Sequence, residues 1–143
     1  MTKIAQIILT SSLTILGGAL VLVAGQIAIK FFVEPVHELR KFLGEIQDAL
    51  IFYANLPPYE ESNEQTRKTI LEAKDLFRQQ ASRLIAKRKI IPWYRCLAKL
   101  KIVAPEKNIE EIHRGLIGLS NSMMGHNYDD LKYYKGEIIK YLN

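Results

Sequence analysis

Between Lys3 and Lys30 the chain carries no charged residue, and the 26 positions in between are mostly Ile, Leu, Val and Ala. As a helix rising about 1.5 Å per residue, this run reaches roughly 39 Å, against roughly 30 Å for the hydrocarbon core of a bilayer. A core helix of a soluble domain keeps a polar face, so a run of this length without one reads as a membrane span, tilted to fit. Val23-Ala24-Gly25 has the small-x-small form of a signal-peptide cleavage site. The apolar character continues past it through Ile27, Ala28 and Ile29, and the run exceeds the length of a signal-peptide h-region. An uncleaved anchor is the expectation, and no lipobox cysteine offers a lipid attachment in its place.

Small residues recur along the run at fixed intervals. Ser11, Gly18 and Gly25 are spaced by seven, as are Thr14, Val21 and Ala28. In lipid there is no hydrophobic drive between helices, so association relies on close backbone approach, which small side chains at heptad spacing permit. These six residues form a candidate helix-packing seam for self-association. Small residues are common in membrane helices in any case, and Gln26 fits either an interhelical hydrogen bond or the headgroup level.

Beyond the anchor, strand-type alternation is nowhere sustained and no linker or internal repeat appears. Pro35 predicts a kink or a new helix start, through its missing N–H and its restriction on Glu34. From there Phe32, Val36, Leu39, Leu43, Ile46, Leu50 and Tyr53 recur three and four apart, predicting a long helix to about Ala54. Pro57 and Pro58 end it. Ser62 with Gln65 has capping-box spacing for a second helix carrying Ile70, Ala73, Phe77, Ala81 and Leu84, ending near Lys89. A short third helix is expected from Trp93 to Val103. Pro105 starts a fourth, with Ile109, Ile112, Leu116 and Leu119 on its apolar face. The stretch "SNSMMGHN" reads as a loop, and a last helix begins at Asn127 with Leu131, Ile138, Tyr141 and Leu142 inward. The predicted fold is all-α: an anchor over 1–34, then a bundle of four to five helices over 35–143.

The net charge of +5 is unevenly placed. Between Asp75 and Glu106 there is no acid, while Arg78, Arg83, Lys87, Arg88, Lys89, Arg95, Lys99 and Lys101 all fall there around Trp93 and Tyr94. Basic residues beside interfacial aromatics suit an anionic leaflet, where each Lys or Arg near the surface contributes on the order of 1 kcal/mol. Arg83, Lys87, Arg88, Lys89, Trp93, Arg95, Lys99 and Lys101 are therefore the candidate anionic-surface residues. The same composition suits nucleic-acid phosphates with an aromatic for stacking, and a solvated helix face with Trp93 in the core is the plainer alternative.

Chemistry-bearing patterns are lacking elsewhere. His37, His113 and His126 have no ligand spacing, so no metal is expected. The pairs Glu60-Glu61, Glu110-Glu111 and Asp129-Asp130 are sequence neighbours that point to different helical sides, which suits caps and surface charge better than an acid/base dyad. Cys96 is the only cysteine. With Arg95 and Lys99 nearby it has some reason to ionise, but a lone helical cysteine more often acts as a small buried hydrophobe. Ser120, Ser122 and His126 lack the strand-turn-helix setting of a hydrolase, and no phosphate-cradling glycine motif occurs. No catalytic residue, cofactor or enzymatic activity is expected.

The leading expectation is a single-pass, membrane-anchored interaction, scaffold or sensor-effector component that self-associates through the anchor and the first cytoplasmic helix. Lys30, Arg40 and Lys41 outweigh Lys3 as flanks, which puts the N-terminus outside and the domain in the cytoplasm, at an inner (plasma) membrane. Its partners would be the bilayer, anionic headgroups, and a second copy or another protein. A small membrane-disrupting effector, with Ser11, Thr14 and Gln26 giving polarity, and a tethered nucleic-acid-binding domain are the alternatives.

Overall fold

A computed structural model of the chain describes residues 3–57, 59, 62–125 and 128–142, and all regular structure among them is helical. Helix α1 (Lys3–Ala28) passes through a π-helical turn (Ile29–Val33) into α2 (Glu34–Phe52), giving one uninterrupted helix from Lys3 to Phe52. Pro35 explains the turn. Its nitrogen has no proton to give the Phe31 carbonyl, and its ring crowds that carbonyl. The helix widens just ahead of it, where the Glu34 N–H reaches back to the Ile29 carbonyl. Widening by one residue relieves the crowding without breaking the rod. The chain thus takes no fresh start at Pro35.

No residue of α1 is buried, and the apolar helix is long enough to cross a membrane. Its surface has no cover from the rest of the chain: nothing lies within 4 Å of where a side chain would sit at Gly17, Gly18 or Gly25. From α2 onward the pattern changes to one-sided burial.

Helices α2, α3 (Glu64–Ile90), α5 (Glu106–Ser122) and α6 (Tyr128–Leu142) run alternately away from and back toward α1. Cross-contacts give the directions. Lys87 meets Glu38 while Phe77 meets Tyr53, so α3 is antiparallel to α2. Arg78 bonds Asn121 while Arg88 pairs with Glu106, so α5 reverses again. Lys135 of α6 donates to the Tyr53 and Ala54 carbonyls at 3.2 and 3.0 Å, closing the bundle against the end of α2. A Lys ammonium there satisfies carbonyls that the helix end leaves orphaned. The short α4 (Tyr94–Lys99) lies in the crossing from α3 to α5.

The core contains Ile70, Ala73, Phe77, Ala81 and Leu84 of α3 and Ile109, Ile112, Leu116 and Leu119 of α5, as their spacing predicts. On α2 the buried set is Leu39, Phe42, Ile46, Ala49 and Leu50, while Leu43 is only partly covered. Of the predicted stripe, Leu39, Ile46 and Leu50 pack inside the chain's own bundle, while Phe32, Val36, Leu43 and Tyr53 stay partly exposed.

Element ends shift by one or a few residues. The N-cap of α3 is Asn63, whose Oδ1 accepts the Thr66 N–H at 2.8 Å, in place of Ser62, which is itself buried. Helix α2 stops at Phe52 and α4 at Lys99, short of Ala54 and Val103. Helix α5 continues through Ser120 and Ser122, in a segment read as a loop. Ser120 is buried and donates to the Lys74 carbonyl of α3, so tertiary contact carries the helix onward. The expected start at Asn127, and His126 with it, lie outside the described residues.

Candidate membrane-proximal site

Because α3 returns alongside α2, its basic C-terminal end arrives at the level where the apolar helix ends. The contact that fixes this is a ring stack. Trp93 lies on Phe32 of the π turn, with centroids 5.4 Å apart and planes 29° off parallel. Trp93 is still 73 % exposed, so the alternative with Trp93 in the core fails. Ile90 and Leu100, on either side of it in sequence, are exposed as well.

The backbone around α4 is unusual at both ends. Trp93 precedes the helix at φ 50° and Lys101 follows it at φ 58°, the two non-glycine residues with positive φ among those described. After α4, the Lys101 N–H bonds the Ala98 carbonyl at 3.0 Å and the Ile102 N–H bonds the Leu97 carbonyl at 2.9 Å. These two bonds define a Schellman stop, whose left-handed position usually holds glycine. Here it holds a lysine.

The eight candidate anionic-surface residues divide by what they touch. Arg83 and Lys87 lie over the Phe42 ring at 5.2 and 5.8 Å, and Lys87 also bonds Glu38 at 2.8 Å. That ammonium, by hydrogen bond first and charge second, holds the Glu38 carboxyl below its usual range. Arg88 pairs with Glu106 and covers Tyr94 at 5.6 Å. These three cations therefore join α3 to its neighbours. Lys89, Arg95, Lys99 and Lys101 are exposed with Trp93; Arg95 also meets Glu106 at 3.0 Å, yet its side chain is 83 % exposed. Tyr94 is buried beneath this layer and donates to the Ala104 carbonyl at 2.7 Å.

Between the start of α2 and the end of α4 lies a cleft of about 340 Å³. Phe32, Val33 and Val36 line one side and Leu97 and Ile102 the other, with His37 and Arg40 also in the lining. Arg40 donates to the Ile102 carbonyl and so bridges the two sides. Sequence reasoning did not place His37, Arg40 or Ile102 in a site. Their sequence signal was faint: a histidine and an arginine three apart on α2, and an apolar residue off any helical stripe.

The six seam residues all lie on exposed α1. At about 100° per residue they occupy an arc of roughly 100° on the helix. The Thr14 hydroxyl donates to the Thr10 carbonyl at 2.9 Å within its own helix, which weakens it as a polar link between helices. Cys96 is exposed, contrary to the buried reading, and no cluster of three or more potential metal ligands occurs among the described residues. A scan against protein-family models, a search of curated proteins and a search of solved structures each find no match.

Proposed function

We propose that the protein is a single-pass membrane-anchored interaction or scaffold component whose bundle rests on the cytoplasmic face of an inner (plasma) membrane. The observation that carries this is the Phe32–Trp93 stack, which brings an exposed indole and the acid-free basic segment to the end of the apolar helix. Tryptophan belongs at the headgroup level, and Lys89, Arg95, Lys99 and Lys101 beside it match an anionic leaflet. The same concentration of cations at one end of the span orients the domain inward and the N-terminus outward. The anchor seam, uncovered within the chain, supports association of copies through α1.

Trp93 is the only tryptophan, so intrinsic fluorescence reads this contact directly. The full chain, reconstituted in phosphatidylcholine vesicles with and without phosphatidylglycerol, is expected to show emission shifted to the blue and quenched by brominated lipid, more strongly with the anionic lipid. Emission typical of bulk water, quenched by aqueous iodide and indifferent to brominated lipid, would refute the reading. A nucleic-acid role predicts instead that a duplex displaces the indole from quencher-bearing vesicles at low salt.

A further inference from the structure

We infer that the cleft between the first turn of α2 and the end of α4 holds one anionic phospholipid from the leaflet that faces the bundle. The lipid phosphate sits at Arg40 and His37, and the glycerol and first methylenes lie against Phe32, Val36, Leu97 and Ile102. This rests on the reading of α1 as a membrane span, and it adds a defined lipid to what is otherwise a diffuse surface contact.

Three observations carry it. The cleft follows directly on the apolar helix, since Phe32 and Val33 belong to the π turn that ends it. A chain leaving the bilayer core at that level meets apolar walls before it meets water. Its size, about 340 Å³, is at the small end of ligand pockets, enough for a glycerophosphate and the root of an acyl chain while the rest stays in the bilayer. Its charge is also matched. Arg40 has no carboxylate partner among the described residues, and its bond to the Ile102 carbonyl holds the guanidinium across the cleft with further N–H donors remaining. A planar guanidinium fixed by one bond is well disposed toward a phosphate, and the neighbouring Lys99 and Lys101 reinforce the preference for a negative headgroup.

The test is mass spectrometry of the intact full-length protein released from detergent micelles holding equal phosphatidylglycerol and phosphatidylcholine. One phosphatidylglycerol per chain is expected, retained at least tenfold over phosphatidylcholine. His37→Glu places a repelling carboxylate at an exposed position and should lower that retention about tenfold with helix content unchanged. Val36→Phe fills the cleft without altering charge and should do the same, so a folding defect in either variant does not decide the matter. Equal retention of both lipids, or retention unchanged in both variants, overturns the proposal. Carbonate extraction of the same protein separates the two readings: release from the membrane means that α1 does not span, whereas firm retention with no lipid preference removes the cleft alone.

Discussion

Lys101 occupies a position where a side chain is a burden. At φ 58° its Cβ crowds the neighbouring carbonyl, a cost on the order of 1–2 kcal/mol that glycine avoids. Lys101→Gly should therefore raise stability by about 1 kcal/mol in a denaturant titration in detergent, since the Schellman bonds need only backbone atoms. The same substitution removes one of Lys89, Arg95, Lys99 and Lys101, the cations exposed with Trp93. Tyr94 shows burial acting on a titration. Desolvation pushes its phenol up to about 12, against the opposite pull of Arg88. An unfolded tyrosine ionises near 10, so between pH 10 and 12 the unfolded chain has lost a proton that the folded chain keeps. Stability should fall as pH rises across that window, and Tyr94→Phe should remove this part of the slope while costing about 1 kcal/mol at neutral pH through the lost bond to Ala104. Comparing the two proteins isolates Tyr94 from Lys135, whose ammonium burial pushes down and whose contribution runs the other way below its usual value.

Two glycines on α5 and one on α6 separate packing from propensity. A Cβ at Gly115 would lie 2.5 Å from Cγ1 of Ile138, a fully buried side chain with little room to yield. Gly118 is crossed in the same way by the ring of Tyr134. Small residues at these two positions let α5 and α6 approach closely. Gly136 has nothing within 4 Å. Gly136→Ala should then stabilise by roughly the 1 kcal/mol of helix propensity. Gly115→Ala should destabilise, because overpacking of about 1–3 kcal/mol outweighs the same gain. Thermal melts of both variants check the pair, and a stabilised Gly115→Ala would mean that the two helices are farther apart than described. The π turn belongs to this scale as well, since it lets α1 continue into α2 and places Phe32 where Trp93 reaches it.

At the scale of the whole molecule, an apolar rod with no cover joins a bundle whose own core is complete. The proposed association of copies through the rod assigns the contact to the seam residues. Gly18→Leu with Gly25→Leu should reduce the oligomeric mass in mild detergent to that of one chain, measured by light scattering, and leave the bundle's melting temperature unchanged. An unchanged mass would remove the seam from the reading. The connectivity also brings the basic segment to the end of the apolar helix. The first two antiparallel reversals return α3 and launch α5 at the level of the π turn, so Trp93 and Ile102 meet Phe32 and Arg40 some sixty positions earlier in the chain.

The sequence alone determined what local pattern controls. Twenty-six uncharged residues in a row specified an apolar helix of membrane length, and apolar spacing specified the inward faces of α3 and α5 residue by residue. Periodicity is a property of a single helix, so it needs no partner to be read. Only the tertiary structure decided that Leu39, Ile46 and Leu50 of the α2 stripe are covered by the chain itself, that α5 runs on through Ser122, and that Trp93 is outside and stacked on Phe32. It also decided which cations join helices and which remain exposed, and it assembled the cleft from Arg40 and Ile102, 62 residues apart. Those outcomes depend on which helix lies beside which. That arrangement is set by packing between distant segments, and the spacing within any one of them does not encode it.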